Sequence, residues 1–255
     1  MPTPDFTGKH ILITGASRGI GRACANEFAM LGGTVAIHYG HNHAAAEVTL
    51  RMLPGTAHRL IQADITDASA VASMVDEVIQ SYGRIDVLVN NAGIFEEHPL
   101  PTTDYATWQE VWVRILATNL VGAANTLYCV AQRMIQQGSG KIINISSRTA
   151  FRGKPEAPAY VASKAGLNAM GQSLAQALAP YGIHIFSIAP GVVETDMAAQ
   201  DQAGPAWHAI QQQSPLGRVC RPEEVAYTAA FLASDGAEYL SGGIVDLFGA
   251  SYLRT

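Results

Sequence analysis

Tyr160, Val161, Ala162, Ser163 and Lys164 are consecutive, so a phenol and an amine stand four residues apart. On a helix that spacing puts both on one face. A tyrosine is a poor acid or base near neutrality, because its ordinary pKa is near 10. A neighbouring ammonium favours the phenolate and lowers that value. The pair is therefore a tunable proton donor and acceptor, as the reduction of a carbonyl requires. Ser147 stands thirteen residues before Tyr160 and ends an apolar run with Ser146. A Tyr-x-x-x-Lys spacing also arises by chance. What gives this one weight is its place, at the start of a helix pattern that follows a strand ending in two hydroxyls.

A second constellation lies near the start, at Thr14-Gly15-Ala16-Ser17-Arg18-Gly19-Ile20-Gly21. Glycines permit tight turns and close backbone approach to a ligand. A helix N-terminus adds free N–H groups and a positive dipole end, which suit a pyrophosphate. The spacing departs from G-x-G-x-x-G, with its close pair last, and an ordinary glycine-rich βα turn is the alternative. Its position supports the ligand reading: first strand, then turn, then helix. An NAD-binding unit usually places an acid at the end of the second strand, but no Asp or Glu occurs between Glu27 and Glu47. Arg18 can face a 2′-phosphate that a carboxylate would repel. The sequence thus favours NADP(H), with NAD(H) as the alternative.

Other polar residues stand where strands end. His38, His41 and His43 admit three readings: metal ligands, cations around a 2′-phosphate, or a solvated loop. No Cys or acid accompanies them, so no metal site is expected. If they hold a phosphate, NADPH affinity falls between pH 6 and 8. Asp64 either accepts from an adenine amino group or caps the helix starting near Asp67. Asn90-Asn91-Ala92-Gly93 offers small residues and amides to a ribose and a nicotinamide, or builds a structural turn.

These points need a scaffold that brings strand ends together. Short apolar runs occur at 11–13, 35–37, 60–61, 87–89, 142–145, 183–188 and 244–245. They are rich in β-branched residues and lack strict polar alternation, as in strands buried on both faces. Helix-length patterns alternate with them at about 19–32, 43–53, 67–82, 104–137, 159–180 and 222–234. This order predicts a three-layer, doubly wound α/β Rossmann fold with one mostly parallel sheet of about seven strands. We expect one domain over residues 1–255. The irregular stretch 191–221 is expected to form a mobile, substrate-binding lid within it.

Taken together, the residues resemble the short-chain dehydrogenase/reductase family in its short single-domain form. The resemblance spans nearly the whole chain, carried by Thr14–Gly21, Asp64, Asn90–Gly93, Asn119, Ser147, Tyr160 with Lys164, and Pro190–Thr195 in family order. It implies hydride transfer between a nicotinamide and a ketone or secondary alcohol. Tyr160 would be the general acid or base and Ser147 would hold the substrate oxygen. Lys164 would bind the nicotinamide ribose and lower the Tyr160 pKa, and Asn119 would hold a water in a relay to Lys164. The cofactor would lie over Gly15, Ser17, Arg18, Gly19, Ile20, Gly21, Tyr39, Asp64, Ile65, Asn91, Ala92 and Gly93. Pro190, Gly191, Val193 and Thr195 would complete its site, with Val193 and Thr195 at the carboxamide, and 195–213 would close over the substrate. Tetramers or dimers through the long helices near 104–137 and 159–180 are also implied.

Members that reduce 3-oxoacyl groups on acyl carrier protein carry basic residues on the active-site rim. This chain has Gly138 and Tyr181 there, a mostly neutral 132–137, and no Arg or Glu in 173–178. That reading is therefore the runner-up. The segment 105–112 adds about one helical turn before Asn119. Arg148, Arg152 and Lys154 lie near the expected pocket with Phe95, Glu96, Glu97 and His98 opposite. They either steer a polar or anionic substrate or pair with the glutamates.

The 255 residues carry a net charge of −5, 48% hydrophobic and 15% charged residues. That composition is globular and has no basic footprint for nucleic acid. No run of eighteen apolar residues and no signal-peptide pattern occurs, so no membrane association is expected. The three scattered cysteines make no disulfide framework, which fits a cytoplasmic protein. A non-catalytic dinucleotide sensor would have no need of Ser147, Tyr160, Lys164 and Asn119 together.

Overall fold

Ile11 and Ile13 pack into one hydrophobic cluster and Leu12 into another, because successive side chains of a strand point to opposite faces. The same division separates Val87 and Val89 from Leu88, and Ile143 and Ile145 from Ile142. Every central strand is thus apolar on both sides, which is why these runs lack polar alternation. The computed structural model describes residues 3–195 and 205–254.

Among the described residues there are seven strands: β1 (His10–Ile13), β2 (Thr34–Tyr39), β3 (Arg59–Gln62), β4 (Val87–Asn90), β5 (Gly140–Ile145), β6 (Ile183–Pro190) and β7 (Ile244–Leu247). They form one sheet in the order β3-β2-β1-β4-β5-β6-β7. All six pairings are parallel, with Ile11 opposite both Val35 and Val87. The sheet is therefore wholly parallel. Its order reverses between β1 and β4, and ligands of such sheets bind at the strand C-termini beside that switch point.

Helices α1 (Gly19–Met30), α2 (His43–Met52), α3 (Ala68–Tyr82), α4 (Tyr105–Leu116), α5 (Ala123–Gln137), α6 (Thr149–Arg152), α7 (Pro158–Leu178), α8 (Pro205–Gln211) and α9 (Pro222–Ala233) flank the sheet. α1 and α9 cover one face, through Phe28, Val225 and Leu232. α3, α5 and α7 cover the other, through Val75, Leu127, Met134 and Leu178. The layers are those of a doubly wound Rossmann fold.

Three details differ from the sequence pattern. α4 and α5 are joined by one wide π turn, Ala117–Gly122, rather than by uniform helix. α6 and α8 interrupt stretches read as irregular. Residues 196–204, the middle of the expected lid, lie outside the described residues. By length and composition the helix Tyr105–Gln137 is long and apolar enough to cross a membrane. The sequence criterion of eighteen consecutive apolar residues passed over it. Its Val111, Ile115, Leu127, Val130 and Met134 are buried inside the protein, as in a core helix.

Candidate active site

The chain leaves β1 at the switch point and turns immediately through Gly15, whose φ of +63° disfavours any side chain. A methyl group on Gly21 would stand 2.3 Å from the Gly15 carbonyl oxygen and 2.7 Å from Asn91 Nδ2. Turn and helix are therefore closed on each other as only glycine permits. Arg18 occupies the N-cap of α1 with extended backbone and an exposed side chain. Gly19 and Ile20 open the helix, and Ile20 also packs on the core.

The turn is braced from beneath. The Gly15 N–H donates to His38 Nδ1 at 3.1 Å, and His38 Nε2 lies 3.0 Å from the Ala63 carbonyl. A carbonyl only accepts, so Nε2 carries the proton and the imidazole is neutral. Burial pushes its pKa down, although the Ala63 bond and Asp64 oppose this. His38 therefore neither belongs to a solvated loop nor supplies a cation to a phosphate, whereas His41 and His43 are exposed. Ser17 offers its carbonyl to Arg22 at 2.6 Å and to Thr49 at 3.2 Å. Tyr39 ends β2, buried, with its ring edge against His43. Among the described residues no cluster of three His, Cys, Asp or Glu could hold a metal ion.

Asp64 is exposed and accepts from the Thr66 N–H and hydroxyl, which hold its carboxyl below the usual range. The cap of α3 is Asp67 instead, accepting from the N–H groups of Ser69 and Ala70. Ile65 is buried in the core beneath Gly122, so only its backbone is left to meet a ligand.

At the end of β4 the amides serve structure. Asn90 donates to the Ala123 carbonyl and to Asn144 Oδ1. Asn91 donates to the carbonyls of Thr14 at 2.9 Å and Gly15 at 3.2 Å. The Thr14 hydroxyl accepts from the N–H groups of Asn91 and Ala92 at 2.9 Å each. The two strand ends are thus laced together, with Ala92 packed on the core and Gly93 half-buried. A methyl on Gly93 would meet Asn119 Oδ1 at 3.2 Å and Lys164 Nζ at 3.6 Å. Asn119 sits in the wide turn between α4 and α5. Its Oδ1 accepts from the Ile94 N–H at 2.8 Å, and its Nδ2 donates to the Ile94 carbonyl and Ser163 Oγ. That side chain clamps the loop after β4.

Tyr160 stands in the first turn of α7 and Lys164 one turn further, on the same face; Lys164 Nζ lies 5.8 Å from the tyrosine ring centre. Nζ donates to the Ile145 carbonyl at 2.8 Å, which fixes the helix against the end of β5. Burial pulls the Lys164 pKa down to about 8. Burial also raises that of Tyr160, opposed by a hydrogen bond with the Ser147 hydroxyl. The expected depression of the phenol by Lys164 is thus not a property of the protein alone. Removing the ring from water dominates, and the amine is directed at a backbone oxygen. Ser147 Oγ in turn accepts from the Thr149 N–H and hydroxyl at 3.2 and 3.0 Å.

The end of β6 completes the rim. The Pro190 carbonyl accepts from the Arg148 N–H at 2.8 Å, and the Gly191 N–H donates to Leu247 O at 2.9 Å. Val193 is buried and bridged to Cys220. A methyl on Gly19 would meet the Thr195 side chain at 3.2 Å, so this segment reaches back to the glycine turn.

A family model described as enoyl-(acyl carrier protein) reductase matches residues 15–247. The 3-oxoacyl-[acyl-carrier-protein] reductase FabG of Staphylococcus aureus strain Mu50 is 38% identical over 249 residues, covering 96% of this chain and 98% of that protein. FabG of Thermotoga maritima is 37% identical over 244 residues, covering 95% and 97%. A solved structure titled "Crystal structure of gox2181" superposes with a TM-score of 0.90 at 31% identity, covering 97% and 96% of the two chains. The chain belongs to the short-chain dehydrogenase/reductase family. It is accordingly an oxidoreductase that acts on CH–OH or ketone groups with a nicotinamide dinucleotide.

For a short-chain reductase the roles that the sequence did not reveal are as telling as the expected ones. Arg22, Thr49 and His38 hold the glycine turn from behind, and Thr14 ties it to β4. Most telling is His98, which is buried. Its Nε2 accepts from the Ala159 N–H at 3.2 Å, and its Nδ1 donates to the Glu96 carbonyl at 3.0 Å. The α7 N-cap residue, Ala157, supplies no side-chain bond. His98 therefore caps the Tyr160 helix from another segment, rather than lining a charged pocket wall. Helix propensity carries no signal for such a cap. Only the tautomer-defining contacts reveal it.

Proposed function

We propose that the protein is an NADP(H)-dependent ketone reductase and secondary-alcohol dehydrogenase. The observation that carries this is the grouping of Ser147, Tyr160 and Lys164 at the C-terminal sheet edge, beside the Gly15–Gly21 turn. The residues assigned to the cofactor are Gly15, Ser17, Arg18, Gly19, Ile20 and Gly21 for the phosphates, with Tyr39, Asp64 and Ile65 at the adenosine end. Asn91, Ala92, Gly93, Pro190, Gly191, Val193 and Thr195 are assigned to the nicotinamide half, with Lys164 at its ribose. The fit rests on the turn itself: a Cβ at Gly15 would strike Ala92 and one at Gly21 the Gly15 carbonyl, so only glycines close this turn onto the N-terminus of α1, where free N–H groups suit a pyrophosphate. Preference for the 2′-phosphate is supported by exposed Arg18 and by the absence of any acid between Glu27 and Glu47. Arg18→Ala is expected to weaken NADPH binding about tenfold or more and NADH little, as loss of a charge-assisted contact predicts. Fluorescence titration with both nucleotides reads this.

When bound, the reduced nicotinamide supplies a hydride to the carbonyl carbon. Negative charge then grows on the substrate oxygen. The Ser147 and Tyr160 hydroxyls donate to that oxygen, and Tyr160 gives up its proton. The high phenol pKa keeps Tyr160 protonated, as an acid must be at neutral pH. The positive end of α7 and the Lys164 ammonium stabilise the phenolate left behind. Asn119 acts as a positioning residue, holding the 91–94 loop against Lys164. Tyr160→Phe is expected to reduce NADPH-dependent ketone reduction by about a hundredfold or more. Normal activity in that variant would remove the assignment.

A second reading, 3-oxoacyl-acyl-carrier-protein reduction, is favoured by the names of the curated relatives. Against it, Arg133 on the expected rim pairs with Asp76 at 2.6 Å, and Gly138 and Tyr181 offer no cation. Comparing 3-oxoacyl thioesters of acyl carrier protein and of a small thiol separates the two. A carrier-reducing enzyme prefers the former. We further assign the protein to the cytoplasm, where its three free cysteines stay reduced, and to a homotetramer or dimer.

A further inference from the structure

Arg148 follows Ser147 directly and is only 6% exposed. Its Nη1 donates to Ser251 Oγ at 2.6 Å and its Nη2 to Gln213 Oε1 at 3.0 Å. Arg152 Nη1 donates to the same Gln213 oxygen at 3.0 Å. Two guanidinium groups thus converge on one neutral amide. The carboxylates around them are engaged elsewhere: Glu97 and Glu156 with Lys154, Glu224 with Arg218, and Asp246 with Arg254. Pairing of the three rim cations with glutamates therefore holds for Lys154 only. Among the described residues neither Arg148 nor Arg152 meets a carboxylate.

A buried charge with neutral partners alone is costly, and a counter-charge relieves that cost. Burial and the nearby Arg152 charge both bear on Arg148, pushing its pKa down. The guanidinium opens onto a cleft of about 110 Å³, whose walls include Gly191, Val192, Gln213, Ser251 and the paired Arg218 and Glu224; Arg152 reaches it through Gln213. Gly191 and Val192 follow β6 at the edge of the candidate active site, and the Arg148 N–H is anchored to Pro190 there. The cleft thus adjoins the site where a carbonyl would sit.

We propose that this cleft takes the anionic end of the substrate: the compound reduced at Ser147 and Tyr160 carries a carboxylate or phosphate that Arg148 and Arg152 bind. Planar guanidinium forks match both oxyanions, and Gln213 and Ser251 are neutral partners that an oxyanion can replace or join. The inference rests on the reductase reading for its carbonyl, but the anion site is testable without turnover.

Calorimetric titration with NADP+ present would compare acetoacetate with ethyl acetoacetate, and dihydroxyacetone phosphate with dihydroxyacetone. The same four compounds would be offered as substrates with NADPH. The anionic member of one pair is expected to bind at least about tenfold more tightly than its neutral partner, the scale of one charge-assisted hydrogen bond. Which pair shows this distinguishes carboxylate from phosphate. Arg148→Gln and Arg152→Gln should each remove most of that advantage, Arg148→Lys should keep part of it, and added salt should shrink it. If buried Arg148 proves necessary for folding, the exposed Arg152 variant decides. Equal binding within both pairs, or an advantage that survives in both glutamine variants, overturns the anion site. Reduction of neutral ketones without an anion advantage leaves the reductase standing. Anion binding through Arg148 and Arg152 without turnover does the reverse.

Discussion

The amine of Lys164 is buried, donates to the Ile145 carbonyl, and has its pKa pulled from 10.5 down to about 8. Holding its charge there costs about 3 kcal/mol on the scale of 1.36 kcal/mol per pKa unit. The sign follows from proton counting. Below pH 8 folded and unfolded chains both carry the proton, so the cost is present in full. Between 8 and 10.5 the unfolded chain holds more protons, and stability rises with pH. Lys164→Met escapes the cost, though it leaves the Ile145 carbonyl without its donor. Its stability relative to the parent, read by urea unfolding, should therefore be greatest at pH 7 and decline towards pH 10. A constant difference would mean that the amine carries no penalty. Such an energetic concession marks a residue retained for chemistry rather than for packing. Tyr160, Lys164 and Ser147 were legible in the sequence because helix period and strand end bring them together. His38 and His98 were not. Their partners lie 23 and 61 residues away in the chain, and a histidine's spacing does not say which backbone group it will meet.

α7 carries Tyr160 in its first turn, and its N-terminal end is fastened at three points: Lys164 to β5, Asn119 to Ser163, and His98 to the Ala159 N–H. Ala157 cannot cap the helix itself, so loss of His98 leaves a buried N–H without a partner. His98→Ala is expected to cost about 1–2 kcal/mol, the scale of a lost cap. It should also lower kcat more than it raises KM, because the displaced turn holds Tyr160. Thermal unfolding with steady-state kinetics checks both, and a stability loss with normal kcat would confine His98 to structure. At this scale the strands were legible from their β-branched runs and the helices from their periodicity. The π turn was not, because Ala117–Gly122 contains no proline or other residue that marks it. Its wide turn follows from packing, with Gly122 close beneath Ile65 and Asn119 bonded to Ile94. The two short helices were hidden for a different reason. Four and seven residues are too few to set up a period.

Two groups of exposed apolar side chains lie on opposite layers of the molecule. Val113 on α4, Val121 in the π turn and Tyr128 on α5 are exposed, eight and seven residues apart. Across the sheet, Tyr227 and Phe231 stand one turn apart on α9, beside Tyr239, Leu240 and the open edge of β7. A large exposed apolar patch signals association, and a free strand edge invites pairing. If each patch pairs with its own copy, the two give distinct two-fold interfaces, the arrangement of a tetramer of dihedral symmetry. One patch alone would give a dimer. Tyr128→Glu buries a charge in the first interface and Phe231→Glu in the second. Neither residue belongs to the buried core clusters, so both subunits should fold. Sedimentation velocity of the parent is expected to show a tetramer, each single variant a dimer, and the double variant a monomer near 27.0 kDa. A parent dimer broken by only one of the two changes would assign the other patch to a surface with no role in assembly. A parent that sediments as a monomer would overturn the reading of both faces.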